Sequence, residues 1–127
     1  MFLRHNLPAI LWGIVILVLC SFPGNNLPRI SFNFIIPLDK VIHILIFGVF
    51  CFLLILGFTK QYTFKFLHTN PILFATVVSI FYGILIEVLQ EYVFTGRSFE
   101  LMDIVADSSG SFISILIYYI LFKKTVL

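Results

Sequence analysis

The stretch PILFATVVSIFYGILIEVLQEYVF, residues 71–94, decides the fold. It is long enough for a membrane-crossing helix, which needs about 20 predominantly apolar residues, and it opens on Pro71, a residue suited to a first helical turn. Its only charged side chains, Glu87 and Glu91, lie toward the far end. Three other apolar runs have a similar length. One extends from Leu7 to about Phe22, behind Arg4 and His5 and ahead of Pro23 and Gly24. The second goes from about Asp39 to Phe58, between Pro37 and Lys60, and the third from about Leu101 to Phe122, closed by Lys123 and Lys124. The 127-residue chain is 61% hydrophobic and 11% charged, with a mean hydropathy of +1.12. Soluble chains average roughly 45–50% apolar and about 25% charged, so this one cannot clothe a water-facing surface. The sequence predicts a single-domain, all-α polytopic membrane protein, a bundle of four transmembrane helices at about 7–22, 39–58, 71–94 and 101–122. A soluble enzyme, a disordered chain, a nucleic-acid binder and a disulfide-stapled secreted domain are excluded, and the net charge of +2 is too small to call for a polyanionic partner.

The first run has the basic start and apolar centre of a signal peptide. However, Val18-Leu19-Cys20-Ser21 offers no small-x-small cleavage site, and Leu19 is too bulky before Cys20 for a lipoprotein site, so an uncleaved helix is expected. Lysine and arginine in short loops favour the cytoplasmic side. With both termini cytoplasmic, the inner face carries Arg4, Lys60, Lys65, Lys123 and Lys124 against Arg29, Lys40 and Arg97 outside, and this is the orientation expected. Residues 60–70 set Tyr62, Phe64 and Phe66 among lysines, the composition of an interface-hugging loop, and residues 24–38 form the longest connection.

The carboxylates are segregated. Asp39, Glu87, Glu91, Glu100, Asp103 and Asp107 are all of them, and in this topology every one falls in the outer half. Counting a rise of about 1.5 Å per residue, Glu87 lies roughly 10 Å below the outer end of its helix, Asp107 roughly 9 Å and His43 roughly 6 Å. A charge near mid-bilayer costs about 2.5–3.5 kcal/mol on the insertion scale, so such groups face a bundle interior or a wet cavity. Ser79, Gly83, Glu87 and Glu91 recur every four residues on one helix face with Gln90 adjacent, while Asp103 and Asp107 share a face that Gly110 and Ser114 continue inward. Small residues at this spacing let membrane helices approach closely. The third and fourth helices are therefore expected to pack at their cytoplasmic halves and to splay around an outward-opening polar pocket.

Asp39, Lys40, His43, Glu87, Gln90, Arg97, Asp103 and Asp107 are the candidate ligand-binding residues. Six carboxylates against Arg29, Lys40 and Arg97 leave a negative surplus, to be met by retained protons, a charged His43 or a cationic ligand. Arg97, in the Thr95-Gly96-Arg97-Ser98 turn, is placed to pair with Glu87 or Asp103 or to grip a phosphate or carboxylate bidentately. Purely structural roles also fit several positions: Arg97 as a hairpin ion pair, His43 as a packing residue, Asp103 as a first-turn acid favoured by the helix dipole. Asp107 is too deep for that last explanation. His43, Glu87, Asp103 and Asp107 have the donor chemistry for a divalent metal, but no compact motif enforces one, and no cofactor is predicted. Ser98, Ser108 and Ser109 lack the surroundings of a nucleophile, and Cys20 and Cys51 lie too far apart along their helices for a disulfide.

Asp39-Lys40-Val41-Ile42-His43, Gly83-Ile84-Leu85-Ile86-Glu87-Val88-Leu89-Gln90, and Gly96-Arg97-Ser98-Phe99 leading into Asp103-Ile104-Val105-Ala106-Asp107-Ser108-Ser109-Gly110 together resemble the VanZ-like family, over roughly residues 12 to 120. The chain departs from the usual pattern in having Asp107 where asparagine is common and Ser114 where a second glycine often follows Gly110. The resemblance implies a small multi-pass protein of the bacterial cytoplasmic membrane, from a family named after a member associated with low-level resistance to the glycopeptide teicoplanin. The expected partners are the lipid bilayer and an envelope lipid or glycopeptide-type ligand, with self-association left open and nucleic acid excluded. An intramembrane enzyme acting on a lipid headgroup, with Glu87 or Asp107 as general base, is the alternative. An ion-coupled carrier is a third reading, disfavoured by the lack of inverted repeats.

Overall fold

The computed structural model describes residues 2–21, 38–93 and 101–126, and within them all side chains except those of residues 38, 39 and 123–126. The elements are α1 (Phe2–Ser21), α2 (Leu38–Lys60), α3 (Lys65–Thr69), α4 (Pro71–Tyr92) and α5 (Leu101–Val126), with no strand among the described residues. Four of these helices, all but α3, are long and apolar enough to cross a membrane. The all-α, multi-pass expectation is met.

The helix limits differ from the apolar runs because backbone hydrogen bonding does not stop where hydropathy falls. Thus α1 starts at Phe2 rather than near Leu7, and the buried Asn6 donates its side-chain amide to Phe2 O at 3.0 Å. Beyond Phe58, α2 continues to Lys60, and α5 passes Phe122 to reach Val126. At its C-terminus α4 stops at Tyr92, where the Val93 N–H closes on Leu89 O at 2.8 Å. The interface-hugging segment is more ordered than expected. Its buried Gln61 donates to Phe58 O and Phe64 O and accepts from Phe64 N at 2.9 Å, folding the chain into α3.

Side-chain contacts fix the topology. The ring of Phe2 lies beside that of Phe58, Asn6 meets Gly57, and Trp12 Nε1 donates to Ile46 O at 2.8 Å, so α1 runs antiparallel to α2. Lys40 pairs with Asp103, His43 with Asp107, and Gly48 touches Gly110, so α2 and α5 run parallel. Ser79 bonds to Ser111 at 2.7 Å and Gly83 faces Asp107, which sets α4 antiparallel to α5. The hub is α2, which touches α1, α4 and α5 and shares its most extensive interface with α5. Around it lie the buried Ile16, Phe47, Cys51, Ile55, Ala75 and Ile86, and Tyr82 bridges the rings of Phe47 and Phe50 while donating to Gly13 O. Outward-turned residues such as Phe81, Leu116 and Ile120 are exposed and apolar, as a lipid-facing surface requires.

The closest approach is between backbones. A Cβ added to Gly110 would lie 2.2 Å from Ile44 O, and one on Gly48 would lie 3.2 Å from Gly110 O. Small residues at a helix crossing do this work in lipid, where no hydrophobic force distinguishes protein from solvent. Gly110 was expected to serve the contact with the preceding span; instead it serves α2, and Ser111 meets α4. Inserting even one methyl into a tight core costs about 1–3 kcal/mol. Gly110→Ala should fall at the upper end, because a backbone carbonyl cannot swing aside as a side chain can. The thermal midpoint of the detergent-solubilised variant should drop clearly, while Phe81→Ala on the lipid face should leave it nearly unchanged; equal midpoints for Gly110→Ala and wild type would refute the close crossing.

Candidate functional site

Three helices deliver ionisable side chains to one end of the bundle. Lys40 and His43 are three residues apart in the first turns of α2, and Asp103 and Asp107 four apart in the first turns of α5. Because these helices are parallel, the two pairs stand rung by rung. Lys40 Nζ forms an ion pair with Asp103 Oδ1, and His43 Nδ1 lies 2.8 Å from Asp107 Oδ1. The other imidazole nitrogen, Nε2, points toward Asp103 Oδ2 at 3.8 Å. From the C-terminal part of α4, Glu87 completes the group: one donor atom each from His43, Glu87 and Asp103 lie within 4.8 Å of one another.

Burial is nearly total. Glu87 is 0% exposed, Asp107 1%, Asp103 2% and His43 4%, whereas the Lys40 side chain keeps 13%. The outward opening expected of a pocket here is bounded by residues 94–100, which lie outside the described residues; among the described residues these side chains meet one another closely. Two uncharged residues shape the cluster. The ring of Phe47, one turn beyond His43, lies parallel to the imidazole with centroids 6.4 Å apart. At Gly83 the Asp107 carboxylate occupies the space of a side chain, since a Cβ there would lie 2.9 Å from Oδ2.

Of the sequence-predicted residues, Lys40, His43, Glu87, Asp103 and Asp107 come together. Gln90 is fully buried but reaches elsewhere, its Nε2 donating to Cys20 O on α1 at 3.2 Å. Glu91 is exposed. The side chain of Asp39, together with Arg97, Arg29 and Glu100, lies outside the described residues. Sequence reasoning missed Phe47 and gave Gly83 only a helix-packing role. The available signals were the four-residue step from His43 to Phe47 and the glycine one turn before a buried acid. Cys20 and Cys51 are free thiols, as expected.

What the arrangement does chemically follows from its charge. Lys40 faces Asp103 and His43 faces Asp107, so acids and bases alternate across α2 and α5, and His43, between Asp107 and Asp103, is placed to pass a proton. The fold and this cluster define a multi-pass membrane protein with a buried ionic site at one end of its helices. The family model VanZ/LLP1 matches residues 7–122, and the chain belongs to that family. Comparison with curated proteins gave no match, nor did comparison with solved structures.

Removing one partner of a buried ion pair costs about 3–5 kcal/mol, because the other charge is left in a poor solvent. Lys40→Met should lower stability on that scale, reduced by the partial exposure of the ammonium. Lys40→Met combined with Asp103→Leu should recover most of the loss, and a double-mutant cycle in thermal melts measures it. Asp107→Asn keeps an acceptor for His43 Nδ1 and should preserve the fold, whereas Asp107→Leu strands the imidazole and should not.

Proposed function

We propose that this VanZ-family protein binds the polar head of a cell-envelope amphiphile, a lipid-linked or glycopeptide-type molecule, at the end of the bundle formed by Lys40, His43, Glu87, Asp103 and Asp107. By their position in the sequence, Asp39 and Arg97 belong to the same site. The protein acts in the bacterial cytoplasmic membrane with both termini in the cytoplasm, which puts the cluster toward the outer leaflet. One observation carries the reading: five ionisable side chains from three spans converge at nearly complete burial in an otherwise apolar bundle. Scaffolding alone gives little reason for them, since buried ion pairs add little stability over apolar residues of similar volume, and intramembrane ionisable residues mark functional sites by default. A lipid-facing groove of about 310 Å³ between α2 and α5, walled by Ile44, Leu45, Phe52, Ile113, Ile117 and Leu121, suits an acyl or isoprenoid chain.

The His43–Asp107 contact favours a second reading, an intramembrane enzyme acting on a lipid headgroup. Of the two acids considered as general base, Asp107 is engaged with His43 Nδ1. That moves the base to His43 Nε2 and makes Asp107 its orienting partner, with Glu87 the remaining carboxylate.

Native mass spectrometry of protein extracted in several mild detergents should show one lipid or glycan-lipid adduct per chain, and its mass also gives the oligomeric state. Occupancy should fall in Glu87→Gln if the cluster holds the headgroup; unchanged occupancy with lost turnover would select the enzyme. A clean apo spectrum in every detergent would end the binding proposal. Orientation is tested separately in a Cys20→Ala, Cys51→Ala background. Ser98→Cys should react with an impermeant maleimide in intact cells and Thr63→Cys only after permeabilisation, and the reverse pattern would invert the topology.

A further inference from the structure

We infer that a crevice between the start of α4 and the later turns of α5, at the end of the bundle away from the ionic cluster, holds the phosphate end of one anionic phospholipid of the bilayer. The site is separate from that of the headgroup proposal and does not rest on it.

Side-chain size makes the crevice. The buried hydroxyls of Ser79 and Ser111 join α4 to α5 at 2.7 Å, and Gly83 faces Asp107 one turn further on. Toward the start of α4 the facing residues are larger. Thr76 and Ile72 on α4 and Phe112, Ile115 and Tyr119 on α5 wall an open crevice of about 490 Å³. Ligand sites commonly occupy about 300–1,000 Å³. From Phe112 to Tyr119 the crevice follows α5 for roughly 10 Å at the helical rise. The gap thus lies in the half of these two spans where the sequence predicts their packing.

The lining is amphiphilic. Ile72, Phe112 and Ile115 give an apolar wall, whereas Thr69, Asn70 and Tyr119 add hydroxyl and amide groups at the level where α4 begins and the apolar span of α5 ends. The exposed Asn70 side chain makes no capping bond to α4, so its amide is available to a ligand oxygen.

Charge selects the occupant. Lys65 is exposed on α3, one turn before Thr69, whose hydroxyl donates to Lys65 O at 2.8 Å. Its backbone is held in place: Phe66 packs edge-on against Phe74 of α4 with centroids 5.4 Å apart, and the buried Gln61 ties down the turn leading into α3. Lys60 is exposed at the end of α2, and Lys123 and Lys124 follow Tyr119 by about one turn in the sequence. Every Asp and Glu of the chain belongs to the start of α2, the last turns of α4, the first turns of α5 or the segment joining those two helices. A basic rim without acids over an apolar wall complements a phosphate carrying acyl carbons. A choline headgroup brings a cation of its own, which this rim does not favour.

The crevice is open and exchanges with added lipid, so it is read by titration after delipidation. Native mass spectrometry of full-length protein should show phosphatidylglycerol saturating at one per chain. Each lysine near an anionic headgroup is worth about fivefold in affinity, so phosphatidylglycerol should bind at least about fivefold tighter than phosphatidylcholine of the same chains. Lys65→Gln, at an exposed position, should weaken phosphatidylglycerol by about that factor and leave phosphatidylcholine unchanged. Ile115→Trp should fill the crevice and expel both lipids, and Leu73→Trp, on an exposed rim residue, repeats the test in a variant that keeps the fold. Equal affinity for the two lipids, selectivity unchanged in Lys65→Gln, loading past one lipid without a plateau, or full retention in Leu73→Trp would each overturn the inference. So would a lipid-free dimer that Leu73→Trp dissociates, since a second copy would then cover the crevice. Glu87→Gln, at the other end, should leave this lipid in place. Loss of phosphatidylglycerol in Glu87→Gln alone would move it to the ionic cluster, sinking this inference and favouring the headgroup proposal. Binding here with no adduct at the cluster would do the reverse.

Discussion

The backbone contact between Gly48 and Gly110 sets the register on which the rest of the bundle depends. Parallel helices that touch at their backbones have few ways to slide. In this alignment Lys40 stands opposite Asp103 and His43 opposite Asp107. A slip of one helical turn, about 5.4 Å, would keep at most one such pairing, Lys40 meeting Asp107 or His43 meeting Asp103, and would break the other. In a soluble protein water would soften such an error. Here the bilayer offers no hydrogen bonds, so the glycine crossing and the ion pairs select the same alignment and reinforce each other.

The cluster obeys a second constraint, the cost of charge in a poor dielectric. Its members are arranged in a relay rather than as separate pairs: Lys40 on Asp103, Asp103 facing His43, His43 on Asp107, and Glu87 closing the ring from α4. Gly83 and Phe47 supply the shape, one by leaving room for a carboxylate and the other by lying parallel to the imidazole. Asp107 gives His43 a carboxylate partner, where an asparagine would give a neutral amide. A difference of one atom type thus bears on the charge of the whole group.

The spans were legible because bilayer thickness dictates the length of an apolar helix, and the runs ending at Lys60 and Lys123 had that length. That Glu87, Asp107 and His43 stand at a similar level was legible too, since helical rise converts residue number into distance. Neighbour choice was not. Gly110, Ser111 and Ser114 project from adjoining parts of one helix surface, and periodicity alone does not say which partner each meets; Gly110 went to α2 and Ser111 to α4. Gln90 looked like a site residue because it sits beside Glu87, yet it ties α4 to the end of α1. The close mutual packing of the cluster was likewise invisible, because it depends on side chains from three spans meeting one another. The short helix α3 escaped notice because its organiser, Gln61, acts through backbone carbonyls that leave no pattern in the sequence.

The parallel pairing of α2 with α5 also bears on how the protein is made. Lys40 and Asp103 are 63 residues apart in the chain, and His43 and Asp107 are 64 apart. During synthesis α2 enters the membrane while α5 is still inside the ribosome. The early spans can already dock through Trp12 on Ile46 and Tyr82 on Gly13, contacts that need nothing from α5. The lysine and histidine of α2 must wait for the aspartates of α5. Completion of the site thus waits on insertion of α5, and a product stalled before it differs by ionisable side chains of α2 held in the lipid without those aspartates, a difference that membrane quality control can read.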